Sequence, residues 1–381
     1  MATLQTLKIE LHFILKQILR HMHNLTNSLL SSTTAQSRRD SNMELLRIVA
    51  MLLVMIVHAD FRALQIPSVT DFYDDTYRTV MRLFIESLSI ICVNTFVLLS
   101  GWFGIRFRFE RMFEFLFQVC FFSILGIGIA TLTAPNEVVS LRGVASFLLL
   151  GDKDYWFVKC YLLMYLFAPV MNSFVEHCSE RQFRIFLLCF YAFQTVYGFV
   201  GGAEWFKLGY SGLSFMGLYL LARYIRLYPN RFTSLNKRWD MVVYFSFVVV
   251  MTLLSVAVLA AGQNPKIIGR IYAYTSPLVI VPSVYFLLFF SKIKLSYNKV
   301  INWVAASCFA IYLVHSNIWL ARHYDGVIQH LFATHRGFGF FAHAILFILL
   351  VFIVSILIDK IRLLLWRLIA PLFQHKKEPI Q

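Results

Sequence analysis

The sequence predicts an all-α fold: a polytopic membrane helix bundle of about ten transmembrane helices, with both termini cytoplasmic. Of its 381 residues, 59% are hydrophobic and only 14% are charged, whereas soluble domains carry about 25% charged residues. The apolar residues form long runs, as helices that face lipid require. The 38 Phe residues suit lipid-facing surfaces and aromatic belts at the membrane interface. A water-soluble fold of this size could not cover itself with so little charge.

Ten apolar segments define the predicted helices. They lie near residues 45–60, 81–101, 112–133, 156–175, 184–201, 209–223, 241–262, 272–291, 302–321 and 340–362. The sixth segment is short and rich in glycine, and no internal repeat relates the ten. We therefore expect one transmembrane domain over residues 42–366, followed by a basic cytoplasmic tail over residues 367–381.

Residues 1–41 form a separate amino-terminal extension. Leu, Ile and Met recur at spacings of three and four over residues 4–29, with Lys, Arg and His between them. This pattern predicts an amphipathic helix, which a polar linker then joins to the membrane domain. In one interpretation the helix lies on the membrane surface. In the other, translation starts at Met43 and the upstream stretch has little consequence.

The net charge of +15 reflects membrane topology rather than nucleic-acid binding. Lys and Arg lie between the apolar runs, and most fall on the inner side when the amino terminus is placed inside, as the positive-inside rule requires. A shift by one helix would scramble this bias, so it supports both the helix number and the orientation. The six cysteines form no Cys-x-x-Cys pair, and we predict neither a disulfide framework nor a metal site.

Two polar residues, Arg47 and His58, stand eleven positions apart in the first predicted helix, with only apolar residues between them. Eleven residues turn an α-helix through three revolutions plus about 20° and advance it by about 16 Å. Both side chains therefore project from one face, and such groups inside a bilayer usually line a functional cavity. The alternative is that Arg47 reaches the inner head groups and His58 marks the outer end of a short helix.

This spacing resembles the hallmark of the acyltransferase 3 family, which is Arg, ten residues and then His in the first membrane helix. The resemblance spans roughly residues 42–360. Further matches follow in chain order: Ser100-Gly101-Trp102, Tyr155-Trp156-Phe157, Pro169 with Asn172, and Ile311-Tyr312-Leu313-Val314-His315.

The resemblance implies an integral membrane acyltransferase of the bacterial cytoplasmic membrane, with Arg47 and His58 as its catalytic residues. Such an enzyme moves an acyl group, with acetyl as the expected one, from cytoplasmic acyl-CoA to a hydroxyl of a surface polysaccharide or a lipid-linked glycan. The expected partners are membrane lipid, acyl-CoA as donor substrate and the glycan acceptor. No permanently bound cofactor and no nucleic acid are expected.

A basic loop after the second predicted helix contains Arg106, Arg108 and Arg111. The last two form an Arg-x-x-Arg pattern that the family shows at this place, and residues three apart share one helix face. Because guanidinium groups bind phosphate oxygens in pairs of hydrogen bonds, these arginines are predicted to hold the phosphates of acyl-CoA. The alternative is that they serve membrane topology alone.

Other polar residues fall inside or at the ends of apolar segments. We predict that five of them line or support the same cavity: Glu86, Asn94, Ser100, Trp156 and His315. A lone carboxyl group within a membrane helix tends to be functional, and the carboxyl group of Glu86 is a candidate to orient or balance His58. For His315, the alternative to lining the cavity is a hydrogen bond between helices.

The sequence leaves two mechanisms and three classes of function open. Neutral His58 could act as a general base on the acceptor hydroxyl or carry the acyl group itself. The competing class is a glycan or lipid transporter or flippase, which the lack of duplicated halves disfavours. A membrane scaffold without chemistry is the third class, and it gives no reason for an Arg and a His on one helix face.

Overall fold

The structure, a computed structural model, describes residues 40–133 and 155–370 of the chain. These residues form α-helices and short helical turns, with no β-strand among them. The helices are α1 (Ser41–Val57), α2 (Val69–Asp74), α3 (Thr76–Ser89), α4 (Cys92–Phe103), α5 (Phe109–Thr133), α6 (Trp156–His177), α7 (Glu180–Phe193), α8 (Gly212–Leu227), α9 (Lys237–Ala260), α10 (Lys266–Ile271), α11 (Pro277–Ser291), α12 (Lys299–Ala305), α13 (Cys308–His315), α14 (Ala321–Thr334) and α15 (Phe338–Ile369). The amphipathic helix predicted over residues 4–29 lies outside the described residues, as does most of the predicted tail.

Six helical segments in the described part of the chain are long and apolar enough to cross a membrane. They are Thr76–Phe103, Phe109–Thr133, Trp156–His177, Glu180–Val200, Lys237–Ala260 and Phe338–Ile369. The stretches Pro277–Ser291 and Lys299–His315 are also apolar but shorter. The predicted all-α class is confirmed, while the number of ten spans and the cytoplasmic position of both termini stay predictions.

Helix α1 lies among other helices rather than on the surface, because it packs against α4, α12 and α13. Its side chains at Leu46, Ala50 and Met55 are fully buried. The regular α-helix ends at Val57, and His58–Arg62 continues it as a π-helical turn. Single π turns within α-helices occur frequently at functional sites, and this one begins at the predicted catalytic histidine.

The segment predicted as one helix over residues 302–321 is broken in the structure. Helix α12 ends at Ala305, and α13 ends at His315. The side chain of Asn317 stabilises the turn that follows: its amide nitrogen donates to the carbonyl oxygen of Phe122 at 3.2 Å and to the hydroxyl of Tyr155 at 2.9 Å. Its amide oxygen accepts from the backbone N–H of Trp319 at 3.0 Å. This break places His315 at the end of a helix.

A buried ion pair fixes α15 to its neighbour α5. Asp359 and Arg362 lie one turn apart on α15, and both are almost fully buried. Nε of Arg362 donates to Oδ1 of Asp359 at 2.8 Å. Gln118 of α5 donates to the same carboxylate oxygen at 3.2 Å. Removing one partner of a buried pair leaves the other charge without compensation, which costs about 3–5 kcal/mol.

We therefore expect Asp359→Leu to lower the free energy of unfolding by about 3–5 kcal/mol, because Arg362 is left buried and unpaired. The double variant Asp359→Leu with Arg362→Leu is expected to recover most of this loss, since it removes both charges. Thermal unfolding of the detergent-purified protein measures both. A single variant as stable as the wild type would show that the pair does not hold α15 in place.

Candidate functional site

His58 and His315 form a hydrogen-bonded pair. Nδ1 of His58 lies 2.9 Å from Nε2 of His315, with the ring centroids 5.0 Å apart. Nδ1 of His315 lies 2.6 Å from the backbone carbonyl oxygen of Ile311, one turn earlier on α13. His315 is only 1% exposed, whereas His58 lines a cavity. The structure thus makes His315 a partner of His58 rather than a second cavity-lining group.

Residues of the π turn and α14 surround this histidine pair. Arg62 forms an ion pair with Asp325 at 2.7 Å, and it donates to the carbonyl oxygen of His315 at 3.3 Å. It also reaches the hydroxyl of Ser316 at 3.4 Å, and that hydroxyl lies 3.2 Å from Nδ1 of His58. Arg62 therefore joins the turn after α13 to the turn after α1.

A small cavity, which we call the histidine cavity, lies beside His58. Its volume is about 30 Å³, enough for one or two water molecules. Apart from His58, its lining is apolar and aromatic: Met51, Val54, Val93, Phe96, Trp156, Phe157, Phe309 and Tyr312. Trp156 is in this wall, and its ring also contacts those of Tyr210, Phe215 and Tyr274.

A larger cavity of about 310 Å³, the arginine cavity, lies at the Arg47 end of α1. Three arginines and Ser100 line it together with apolar and aromatic residues: Arg47, Arg106, Arg111, Leu99, Phe103, Gly104, Ile105, Met112, Phe115, Tyr161, Leu162 and Tyr165. Arg47 is held by an ion pair with Glu44, one turn earlier on α1. Three positive charges around one concave space make a suitable site for an anion that carries several phosphates.

Arg108 lies apart from the other three arginines. It is more than half exposed, and its guanidinium lies 3.6 Å from the carboxylate of Glu110. The backbone of Arg108 has a structural role. The hydroxyl of Tyr165 accepts from the N–H of Arg108 at 2.9 Å and donates to the carbonyl oxygen of Arg108 at 3.0 Å. The Arg-x-x-Arg pattern thus places Arg111 in the cavity wall and Arg108 outside it.

The loop that carries Arg106 is fixed by side chains from α6 and α8. Gly104 leaves α4 with φ at +76°, a conformation that suits glycine. The next residue, Ile105, has its N–H bound by the hydroxyl of Tyr219 at 3.0 Å and its carbonyl oxygen by the amide of Asn172 at 2.8 Å. The hydroxyl of Tyr219 in turn donates to Asn172 at 2.6 Å. The arginine cavity is therefore preformed.

Two pairs of aromatic rings separate the two cavities. Phe115, in the wall of the arginine cavity, stacks on Phe309, in the wall of the histidine cavity, with centroids 5.1 Å apart. Tyr161 and Phe157 form the equivalent pair at 5.9 Å. Arg47 and His58 thus line adjacent cavities, with a layer of rings between them.

The other two predicted residues, Glu86 and Asn94, are fully buried and line neither cavity. The amide of Asn94 donates to the carbonyl oxygen of Tyr274 at 3.1 Å. Within the described residues, neither carboxyl oxygen of Glu86 has a hydrogen-bond partner. The nearby ion pair of Arg82 and Asp60, at 2.6 Å, lies between the π turn and α3. The predicted contact of Glu86 with His58 is not among the hydrogen bonds of the structure.

Sequence analysis missed several residues of the site. The pairing of Glu44 with Arg47 could have been read from their spacing of three in a helix. Arg62 and Asp325 are distant in sequence and lie in segments with no recognisable pattern, so only the fold brings them together. No group of three or more His, Cys, Asp or Glu that could hold a metal ion occurs in the described part of the chain.

Apolar helices long enough to span a membrane, together with a histidine pair and an arginine-lined cavity inside the bundle, define a multi-pass membrane protein with a buried polar site. A family model described as an acyltransferase domain matches residues 40–360. The chain therefore belongs to the acyltransferase 3 family. Neither the curated proteins nor the solved structures that we searched gave a match.

Proposed function

We propose that this protein is a membrane O-acyltransferase that moves an acyl group, acetyl in the first instance, from cytoplasmic acyl-CoA to a hydroxyl of a surface polysaccharide or lipid-linked glycan. Its proposed place is the bacterial cytoplasmic membrane. The observation that carries the proposal is the adjacency of two cavities, one lined by Arg47, Arg106 and Arg111 and the other by His58. Family membership supports the acyl transfer, and the two cavities suggest how donor and acceptor meet.

The donor end of the reaction is proposed to lie in the arginine cavity. Acyl-CoA carries three phosphate groups, and the positive-inside rule puts this loop on the cytoplasmic side. Arg106 and Arg111 come from the loop and the start of α5, and Arg47 from α1. The rise of α1 between Arg47 and His58 is about 16 Å, which the pantetheine arm of the donor can span.

The chemical step is proposed to use Nε2 of His58. As the acceptor hydroxyl attacks the thioester carbonyl, this nitrogen takes the hydroxyl proton, and the new ester C–O bond forms. The C–S bond then breaks, and the imidazolium returns its proton to the leaving thiolate to give free CoA. The same nitrogen would be the nucleophile if the acyl group were first carried by His58. In both routes the histidine ends the cycle neutral.

The ring layer has a part in this proposal, because the thioester must cross it. The histidine cavity has room for water-sized groups only, at about 30 Å³. The ring pairs Phe115–Phe309 and Tyr161–Phe157 would separate when the donor enters. While they are closed, these rings would shield the thioester of a bound donor from water in the histidine cavity.

Acyl transfer is tested with membranes that contain the protein and [¹⁴C]acetyl-CoA. We expect label to appear in the glycan fraction, and we expect alkaline hydroxylamine to release it, because the product is an oxygen ester. Membranes without the protein are the control, and succinyl-CoA tests the choice of acyl group. Glycan that reaches the cell surface only when the protein is present, and without any label, would favour a transporter and contradict the proposal.

A further inference from the structure

We propose that His315 is a positioning residue that fixes which ring nitrogen of His58 carries the proton. This inference rests on the proposed function, because it concerns the group that would take the acceptor proton. The evidence is a chain of two hydrogen bonds that runs from the backbone of α13 through His315 to His58.

The direction of this chain follows from its fixed end. The carbonyl oxygen of Ile311 can only accept, so Nδ1 of His315, 2.6 Å away, carries a proton. A neutral imidazole has one N–H, and its other nitrogen is an acceptor. Nε2 of neutral His315 therefore accepts the hydrogen bond from Nδ1 of His58 at 2.9 Å. His58 thus carries its proton on Nδ1 and presents Nε2 with a free lone pair.

The opposite proton arrangement is disfavoured by the surroundings of the pair. It would need a donor at Nε2 of His315 as well as at Nδ1, which makes His315 a cation. That cation would be 1% exposed and next to the guanidinium of Arg62, which donates to the carbonyl oxygen of His315 at 3.3 Å. Burying an uncompensated charge beside a like charge is costly. Ser316, also in contact with Nδ1 of His58, can accept from the same N–H.

The position of His315 is itself well determined. Its ring contacts those of Tyr312 and Tyr324, with centroids at 6.2 Å and 5.5 Å, and the turn behind it is held by Asn317. His58, by contrast, begins the π turn and lines the cavity. A rigid acceptor thus meets a histidine whose remaining nitrogen is available to a substrate. This explains why the site has two histidines where the reaction needs one.

The test compares two substitutions of His315 that differ in one property. In His315→Gln the side-chain amide oxygen can still accept from Nδ1 of His58, whereas His315→Leu cannot accept. We expect His315→Leu to lower kcat by about 10²-fold, the lower end of what a general base contributes, with little change in KM for acyl-CoA. We expect His315→Gln to stay within about 10-fold of the wild type, the scale of one altered neutral hydrogen bond. The same change at an exposed histidine, His343→Leu, is the matched control.

A spectroscopic measurement separates positioning from a merely structural role. In protein labelled with ¹⁵N-histidine, the nitrogen shifts of His58, assigned by their loss in His58→Gln, show which nitrogen is protonated. We expect the proton on Nδ1 in the wild type and in His315→Gln, and a population with the proton on Nε2 in His315→Leu. The combination His315→Leu with Ser316→Ala, which removes both acceptors, is expected to increase that population.

Two outcomes would overturn the inference. One is a wild-type His58 that carries its proton on Nε2. The other is a His315→Gln variant as inactive as His315→Leu with the His58 tautomer unchanged in both. A wild-type protein with the expected tautomer but no acyl transfer would instead contradict the proposed function and leave the hydrogen-bond assignment intact.

Discussion

His58→Ala is expected to reduce the rate of acyl transfer from acyl-CoA by about 10²–10⁴-fold, the range that a positioned general base contributes. The substitution removes the group proposed to accept the acceptor proton. It also leaves His315 without its donor, since the pair at 2.9 Å is lost. The measurement is the initial rate of label transfer from [¹⁴C]acetyl-CoA to glycan in membranes with equal amounts of each protein.

The control for this experiment is His343→Ala, which replaces an exposed histidine of α15 by the same residue. We expect its rate to match that of the wild type, and both variants to elute as folded protein on size-exclusion chromatography. Undiminished transfer by His58→Ala would remove this histidine from the mechanism. Loss of transfer in both variants would point to a general loss of folding.

The second large effect is expected at the arginine cavity. Arg106→Ala combined with Arg111→Ala should weaken acetyl-CoA binding by about 10²–10⁴-fold, because a hydrogen bond to a charged group contributes about 1.5–3 kcal/mol and about 1.4 kcal/mol corresponds to tenfold in affinity. Both side chains line the cavity together with Arg47. Titration of the purified protein with acetyl-CoA, followed by the increase in its thermal unfolding temperature, measures the change.

Arg108→Ala is the matched control for this pair. It removes the same charge from the same basic loop, but Arg108 is more than half exposed and lies beside Glu110, outside the cavity wall. We expect a much smaller effect on acetyl-CoA binding, since Arg108 does not line the cavity and its charge acts on the bound anion only through solvent and salt. If Arg108→Ala weakened binding as much as the double variant, the general positive charge of the loop would explain binding better than a built site.

Much of the fold could be predicted because membrane helices follow simple rules. Long apolar runs predicted the all-α class. The four helices α5, α6, α9 and α15 lie close to the predicted segments. The irregular parts were less predictable. The break that ends α13 at His315 depends on Asn317, whose partners come from α5 and from Tyr155 just before α6. No local pattern records such contacts between distant segments.

The candidate site also has a part that the sequence predicts and a part that only the fold determines. The eleven-residue spacing of Arg47 and His58 predicted that both project from one helix face, and the structure has Arg47 in the wall of one cavity and His58 in the wall of the other. The ring layer between their cavities could not be predicted, because Phe115, Phe157, Tyr161 and Phe309 are four among many aromatic residues. The hydrogen bond between His58 and His315 could not be predicted either, since 257 positions separate the two residues.

The central claim is that the arginine and histidine cavities serve one donor molecule. A cryo-electron microscopy structure of the protein with a non-reactive thioether analogue of acetyl-CoA tests it most directly. The account predicts phosphates on Arg47, Arg106 and Arg111, separated rings at Phe115 and Phe309, and the acyl end beside Nε2 of His58. An analogue bound elsewhere, or one whose acyl end stops at a closed ring layer, would contradict the account.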